Sequence, residues 1–228
     1  MAIKPRDMAK MIDYTNLKPT ATIEDIRNYC QDAVDNDFAS VCFLPIYVPL
    51  ANKLLKGTSV KVTTVIGFPL GGNDSETKSY ETKNAIKNGA QEVDMVINLG
   101  AFKSEAYDIV KSDIFSVVNS TKTAGVTSDI IVKVIIETCY LDDNEIVRAC
   151  KIVKDSGADF VMSSTFFGPD DVTAEDIGLM RKTVGREIGV KASGYNIQNF
   201  DDALAMLDAG ANRIGAKAGV EIVTDRDE

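Results

Sequence analysis

Three times this chain writes Gly-Ala a few residues ahead of a short apolar run: Gly89-Ala90 before 93–98, Gly157-Ala158 before 160–163, and Gly210-Ala211 before 213–216. A glycine accepts the left-handed backbone that ends a helix, so each repeat reads as helix stop, tight loop and strand. Further apolar, β-branched runs lie at 12–15, 39–44, 60–66, 130–136 and 188–193. Helices are predicted at about 4–11, from Thr22-Ile-Glu-Asp25 onward with a capping-box pattern, and at 75–88, 142–155, 173–183 and 199–207. Strands alternating with helices imply a parallel sheet with right-handed crossovers. A doubly wound sheet is the alternative, but no GxGxxG follows the first strand and no P-loop occurs anywhere. About eight such units, evenly spaced and without a linker, favour an α/β (β/α)8 TIM barrel. The expectation is one domain over 1–228, with a short N-terminal helix at about 4–11 and a frayed tail at about 224–228.

The chain contains no histidine. That removes a Ser-His triad, a histidine general base and the usual histidine-rich zinc site together, so no metal and no other cofactor is expected. Catalysis is left to lysine, carboxylate, tyrosine and cysteine. The net charge of -9 makes nucleic acid and anionic membranes poor partners, although a local pocket can still be positive. No run approaches the roughly 18 apolar residues of a membrane span, and the first residues do not read as a secretory signal. Cys30, Cys42, Cys139 and Cys150 lack CxxC spacing and sit in core-like runs, as reduced thiols of a cytoplasmic protein would.

Three charges interrupt strands that are otherwise apolar. They are Asp94 in Val93-Asp94-Met95-Val96, Lys133 in Ile130-Ile-Val-Lys133-Val-Ile-Ile136, and Lys191 in Gly189-Val-Lys191-Ala-Ser193. A charge so placed costs several kcal/mol unless it is paired or solvated. One reading makes them strand-end residues facing solvent or neutralising one another. The other turns all three into one pocket that runs amine chemistry.

The segments Ile12-Asp-Tyr-Thr-Asn-Leu-Lys-Pro19, Val65-Ile-Gly-Phe-Pro-Leu-Gly71, Val93-Asp-Met-Val-Ile-Asn98, Val132-Lys-Val-Ile-Ile-Glu-Thr-Cys139, Val190-Lys-Ala-Ser-Gly194 and Asn212-Arg-Ile-Gly215 together resemble the deoxyribose-phosphate aldolase family, from about residue 8 to 223. The resemblance implies a (β/α)8 class I aldolase that forms a Schiff base between a strand-6 lysine and acetaldehyde. It implies Asp94 as proton relay and Lys191 as the second lysine, with Lys133 and Cys42 on active-site positions. Thr165, Gly194, Gly215 and Lys217 fall on its substrate-binding positions.

The chain departs from that pattern at one end of the barrel. Where the family reads Lys-Thr-Ser-Thr-Gly, this chain reads Met162-Ser-Ser-Thr165-Phe166, and methionine has no amine to form an imine. The Gly-Gly after the seventh strand becomes Gly194-Tyr195-Asn196, and the serine-rich phosphate loop becomes Gly215-Ala-Lys217-Ala-Gly219. Phe166 and Tyr195 should narrow a phosphate cradle that depends on bare backbone N–H groups. Three functions stay open. The first is an aldolase-like carbon–carbon lyase of diverged activity, with the Schiff base moved to Lys191 and its pKa depressed by Lys133. The second is a non-catalytic metabolite- or partner-binding homologue, and the third is proton-transfer chemistry without an imine. The expected ligand is a small aldehyde or a sugar-phosphate-like metabolite, ordinary deoxyribose 5-phosphate cleavage is not expected, and the resemblance implies a homodimer or larger assembly.

Overall fold

The computed structural model describes residues 3–124 and 129–224, so the tail expected to fray lies outside the described residues beyond Thr224. Its strands are β1 Ile12–Asn16, β2 Ser40–Phe43, β3 Lys61–Ile66, β4 Glu92–Val96, β5 Ile131–Ile135, β6 Phe160–Met162, β7 Gly189–Ser193 and β8 Arg213–Ala216. Each pairs in parallel with the next, and β8 closes on β1. The TIM barrel forms, and the doubly wound alternative falls.

Around it lie α1 Pro5–Ala9, α2 Ile23–Asp35, α3 Val48–Leu54, α4 Ser75–Lys87, α5 Leu99–Lys103, α6 Tyr107–Lys122, α7 Asp143–Asp155, α8 Ala174–Val184, α9 Phe200–Ala209 and α10 Gly219–Thr224. Reciprocal capping boxes open α2, α7, α8 and α9, pairing Thr22 with Asp25, Asp142 with Glu145, Thr173 with Asp176 and Asn199 with Asp202. The Gly-Ala repeat is the matching stop signal. Gly89 and Gly210 take φ of +108° and +120°, while the Ala90 and Ala211 amides reach back to the Ala85 and Met206 carbonyls. These are Schellman closures, and each turns the chain directly into a strand.

The helix after the fourth strand, for which the sequence offered no bounds, is α6. Its runs of valine, serine and threonine carry weak helix propensity, and burial of Val110, Ile114 and Val117 overrides it. Lys78 of α4 ties this helix to the barrel: its ammonium lies 2.5 Å from Asp113 of α6 and donates to the Val96 carbonyl at the end of β4. Both side chains are buried. That pair fixes the strand that carries Asp94.

Strand alternation divides the core. Val41, Val93, Val132, Val134, Val161, Val190 and Ile214 pack outward with the helices in one large cluster. Their neighbours along each strand therefore point to the barrel axis.

Candidate active site

Register places the three interrupting charges on the axis side. Asp94 pairs with Lys133 across β4–β5, and Met162 pairs with Lys191 across β6–β7. Residues paired across parallel strands share a face. Asp94 accepts from Lys133 at 2.8 Å and from Lys191 at 2.7 Å. Three more charges complete the layer. Asp13 of β1 lies 2.6 Å from Lys191 and 3.4 Å from Lys133, Glu92 lies 2.6 Å from Lys133, and Arg213 reaches Asp13 at 2.6 Å and Glu92 at 3.2 Å. Three carboxylates thus face three cations, so the buried layer carries no net charge. Asp13 Oδ2 lies within ion-pair distance of both ammonium groups and is held there by their charge.

Burial disfavours ionisation of Asp13, yet Lys133, Lys191 and Arg213 outweigh it and hold the carboxyl well below the usual carboxylate range. Burial likewise works against the Lys191 ammonium, but Asp13 and Asp94 win and raise its pKa above the ordinary lysine value. Lys133 is raised in the same way by Asp13, Asp94 and Glu92 against the cost of burial. Lys133 does push the Lys191 pKa down, but the net depression expected is corrected to a rise. Two carboxylates in direct contact with Lys191 outweigh the repulsion of one lysine. Gly215 leaves room for this arrangement, since a Cβ there would stand 2.9 Å from Lys191 Cε.

Above the charges the chemistry changes within one strand period. On β2–β5 the next inward positions toward the C-terminal ends are Cys42 after Ser40, Val65 after Thr63, Val96 after Asp94 and Ile135 after Lys133, whereas Thr15 after Asp13 and Ser193 after Lys191 keep the β1 and β7 side polar. Met162 packs with Val96, Ile135 and Phe68, and Phe166 packs with Leu17, Cys42, Val65, Leu44 and Phe68. Burial pushes the Cys42 thiol up, so it stands there as a neutral, apolar group. All four cysteines are free thiols.

Phe166 is 6% exposed and takes a left-handed φ of +71°. Its ring meets Tyr195 edge-on with centroids 5.5 Å apart. Lys217 Nζ lies 2.7 Å from the Tyr195 hydroxyl, 3.9 Å from that ring's centroid and 5.5 Å from the Phe166 centroid. A cavity of about 300 Å³ opens beside them, lined by Lys18, Tyr29, Gly194, Tyr195, Lys217 and Glu221. Thr165 turns away from it: its hydroxyl donates to Glu137 in a very short bond and accepts the Phe167 amide at 3.1 Å. A larger cleft of about 510 Å³ lies at the opposite end, by the starts of β6–β8. Its Arg181 is already spent on the carbonyls of Gly185, Ile188 and Gly210, far from the inward charges.

The family pattern of the DeoC/LacD family aldolases matches residues 6–223. The chain belongs to this aldolase family. A deoxyribose-phosphate aldolase of Caldanaerobacter subterraneus subsp. tengcongensis is 56% identical over 219 residues, 96% of this chain and 93% of the relative. One from Thermococcus gammatolerans is 52% identical over 219 residues, 95% of each. Among solved structures, the aldolase QR15 has a TM-score of 0.90 at 38% identity, covering 96% of this chain and 95% of that one. The deoxyribose phosphate aldolase of Aeropyrum pernix, described as a tetramer, has a TM-score of 0.88 at 32% identity, over 96% and 91%. Membership places the protein among aldolase-type lyases. Asp13, Glu92 and Arg213 were not singled out from the sequence. The signal was there for Glu92, which stands two residues before Asp94 and so shares its face. Asp13 and Arg213 lie near strand ends, where a charge is too ordinary to attract notice.

Proposed function

We propose that this aldolase-family protein is a carbon–carbon lyase of diverged activity, in which Lys191 carries the Schiff base, Asp94 moves protons and Lys133 positions Asp94. The observation that supports it is the pairing of Met162 with Lys191 on the axis side of β6 and β7. By resemblance the imine-forming amine belongs at 162, and there the chain has a thioether. Lys191 is the nearest amine on that face, and Lys133 is walled in by Glu92, Asp94 and Asp13.

Lys191 first passes a proton to Asp94, 2.7 Å away. The free amine then forms a C–N bond to the substrate carbonyl carbon, and the carbonyl oxygen takes up that proton and a second one from the amine and leaves as water. The iminium that results is a cation where the ammonium was. The carboxylates that make deprotonation costly therefore also stabilise the product, as preorganised charge does. The iminium then takes the electrons of the breaking C–C bond as the β-hydroxyl gives its proton to Asp94 and leaves as a carbonyl. Asp94 returns that proton to the enamine carbon, and water hydrolyses the resulting iminium to free Lys191. Phe166 and Tyr195 close over the position the resemblance gives to phosphate, and Lys217 is engaged by Tyr195, which together with Met162 argues against ordinary deoxyribose 5-phosphate cleavage. Within this reading Cys42, Gly194 and Gly215 line the substrate path, and Thr165 supports it through Glu137.

Borohydride trapping with acetaldehyde and other small aldehydes, read by intact mass and peptide mapping, tests the proposal. An adduct is expected on Lys191, growing from pH 7 to 10 as the amine is freed, and absent from K191M. One observation favours a second reading, a non-catalytic metabolite-binding homologue: the Phe166 ring already fills part of the mouth. No adduct at any pH up to 10 would decide for it.

A further inference from the structure

We infer that Glu137 is a positioning residue for the mouth: it sets the turn after β6 and, through that turn, the place of the Phe166 ring. This goes beyond the lyase reading, because it concerns the shape of the space above Lys191 and requires no reaction there.

Glu137 stands two residues past β5 and is 2% exposed. A carboxyl group buried that far is ordinarily answered by a cation. Among the described residues none answers this one, and burial pushes its pKa up against the hydrogen bonds it accepts. The N–H and O–H donors of those bonds belong to one residue of the next turn. The Thr165 amide donates to both carboxyl oxygens, at 3.1 and 3.3 Å, and the Thr165 hydroxyl donates to Oε2 in a very short bond. That hydroxyl also accepts the Phe167 amide at 3.1 Å. The chain is thus held from Glu137 immediately before and immediately after Phe166. Two oxygens are needed for two donors, and a glutamine would turn its own NH2 toward one of them.

Backbone strain marks the same contact. Among the described residues, Asp37, Glu105, Glu137 and Phe166 are the non-glycine residues with positive φ. Asp37 and Glu105 are exposed, whereas Glu137 at +54° and Phe166 at +71° are buried and joined through Thr165. Such geometry persists where the surroundings over-determine it. Gly168 closes the turn on the same carboxyl, since a Cβ there would stand 3.3 Å from Glu137 Oε1 and 2.5 Å from Cys139 Sγ. On the other side Ser164 is tied to β7: its hydroxyl donates to the Ser193 carbonyl at 2.6 Å, and its carbonyl accepts the Ser193 hydroxyl at 2.7 Å. Those bonds fix where the turn begins. The Glu137 contact is what reaches past them to Phe166.

The chain has no tryptophan, so Phe166→Trp in the full chain gives a sole emitter at the mouth. Its emission should be that of a buried ring, quenched weakly by acrylamide. Adding Glu137→Gln or Thr165→Val should shift the emission to longer wavelength and strengthen the quenching. Thr165→Ser keeps the hydroxyl and should match F166W alone. Ile114→Ala opens a cavity in the outer core, lowers stability without touching the turn, and should leave the emission in place. If the indole does not fit, amide hydrogen exchange followed by NMR in the chain with Phe166 kept reads the same effect. E137Q should then speed exchange of the Phe167 amide, which Glu137 itself does not touch. Emission and Phe167 exchange unchanged in E137Q would overturn the inference, because the Ser164–Ser193 bonds would then suffice. A shift in I114A equal to that in E137Q would overturn it too, since Glu137 would then act through stability alone. Both measurements read the ring and its turn rather than turnover, so their failure is distinct from a failure of imine formation at Lys191.

Discussion

The floor and the mouth of this barrel lie one strand period apart and obey opposite rules. The floor is six charges, each answered by an opposite charge, on strands whose backbone is regular. The mouth sets apolar Cys42, Val65, Val96, Ile135 and Met162 of β2–β6 beside polar Thr15 and Ser193, and carries a left-handed phenylalanine just after β6. Removing a floor residue strands a buried charge, whereas removing a mouth residue mostly empties space. Such a floor tolerates few changes, while the mouth above it can be remade without disturbing the fold.

The largest effect should therefore come from the floor. Asp13→Ala leaves Lys191 and Arg213 each short of a carboxylate, and breaking a buried pair costs about 3–5 kcal/mol. Equilibrium urea unfolding should show that loss, and a cost below about 1 kcal/mol would mean water enters the layer and the comparison fails.

Next is the pH dependence of stability. The Asp13 pKa is lowered on folding, so its contribution is present above the unfolded value of 3.8 and is lost as pH falls through the folded one. The Lys191 pKa is raised, so its contribution is present below 10.5 and is lost as pH rises through the folded value. Stability contributed by the floor should be level between those limits and fall on both sides. In K191M the alkaline fall should shrink, which thermal melts from pH 3 to 11 would show.

Phe166→Gly sets the mouth against this. The ring's burial is worth about 1.5–3 kcal/mol, and relief of left-handed strain returns about 1–2. A net loss of about 1 kcal/mol is expected by the same urea measurement, and a loss as large as that of D13A would erase the distinction. The smallest effect should come from Tyr195→Phe. It removes a hydrogen bond to Lys217 from a ring that is 47% exposed, costing about 0.5 kcal/mol or less.

The two regions were also unequally legible. Asp94, Lys133 and Lys191 announced themselves as charges in apolar runs, and period-two alternation set their common face. Glu92 could have been added by the same step. Phe166, Tyr195 and Lys217 were joined by the family resemblance and by no local pattern, and they meet because three loops end at one rim. Helix α6 was hidden for a related reason, since its stability comes from packing against α4 rather than from its own propensities.

The sequence by itself determined the alternation of strand and helix, the caps and Gly-Ala stops, and hence the barrel, because all of these act within a few residues of chain. Only the tertiary structure decided which carboxylate answers which cation, and so that Lys191 is held charged rather than neutral. The physical reason is distance. Electrostatic energy depends on separations of a few ångströms between atoms, and Asp13, Asp94 and Lys191 come that close only when β1, β4 and β7 close into one ring.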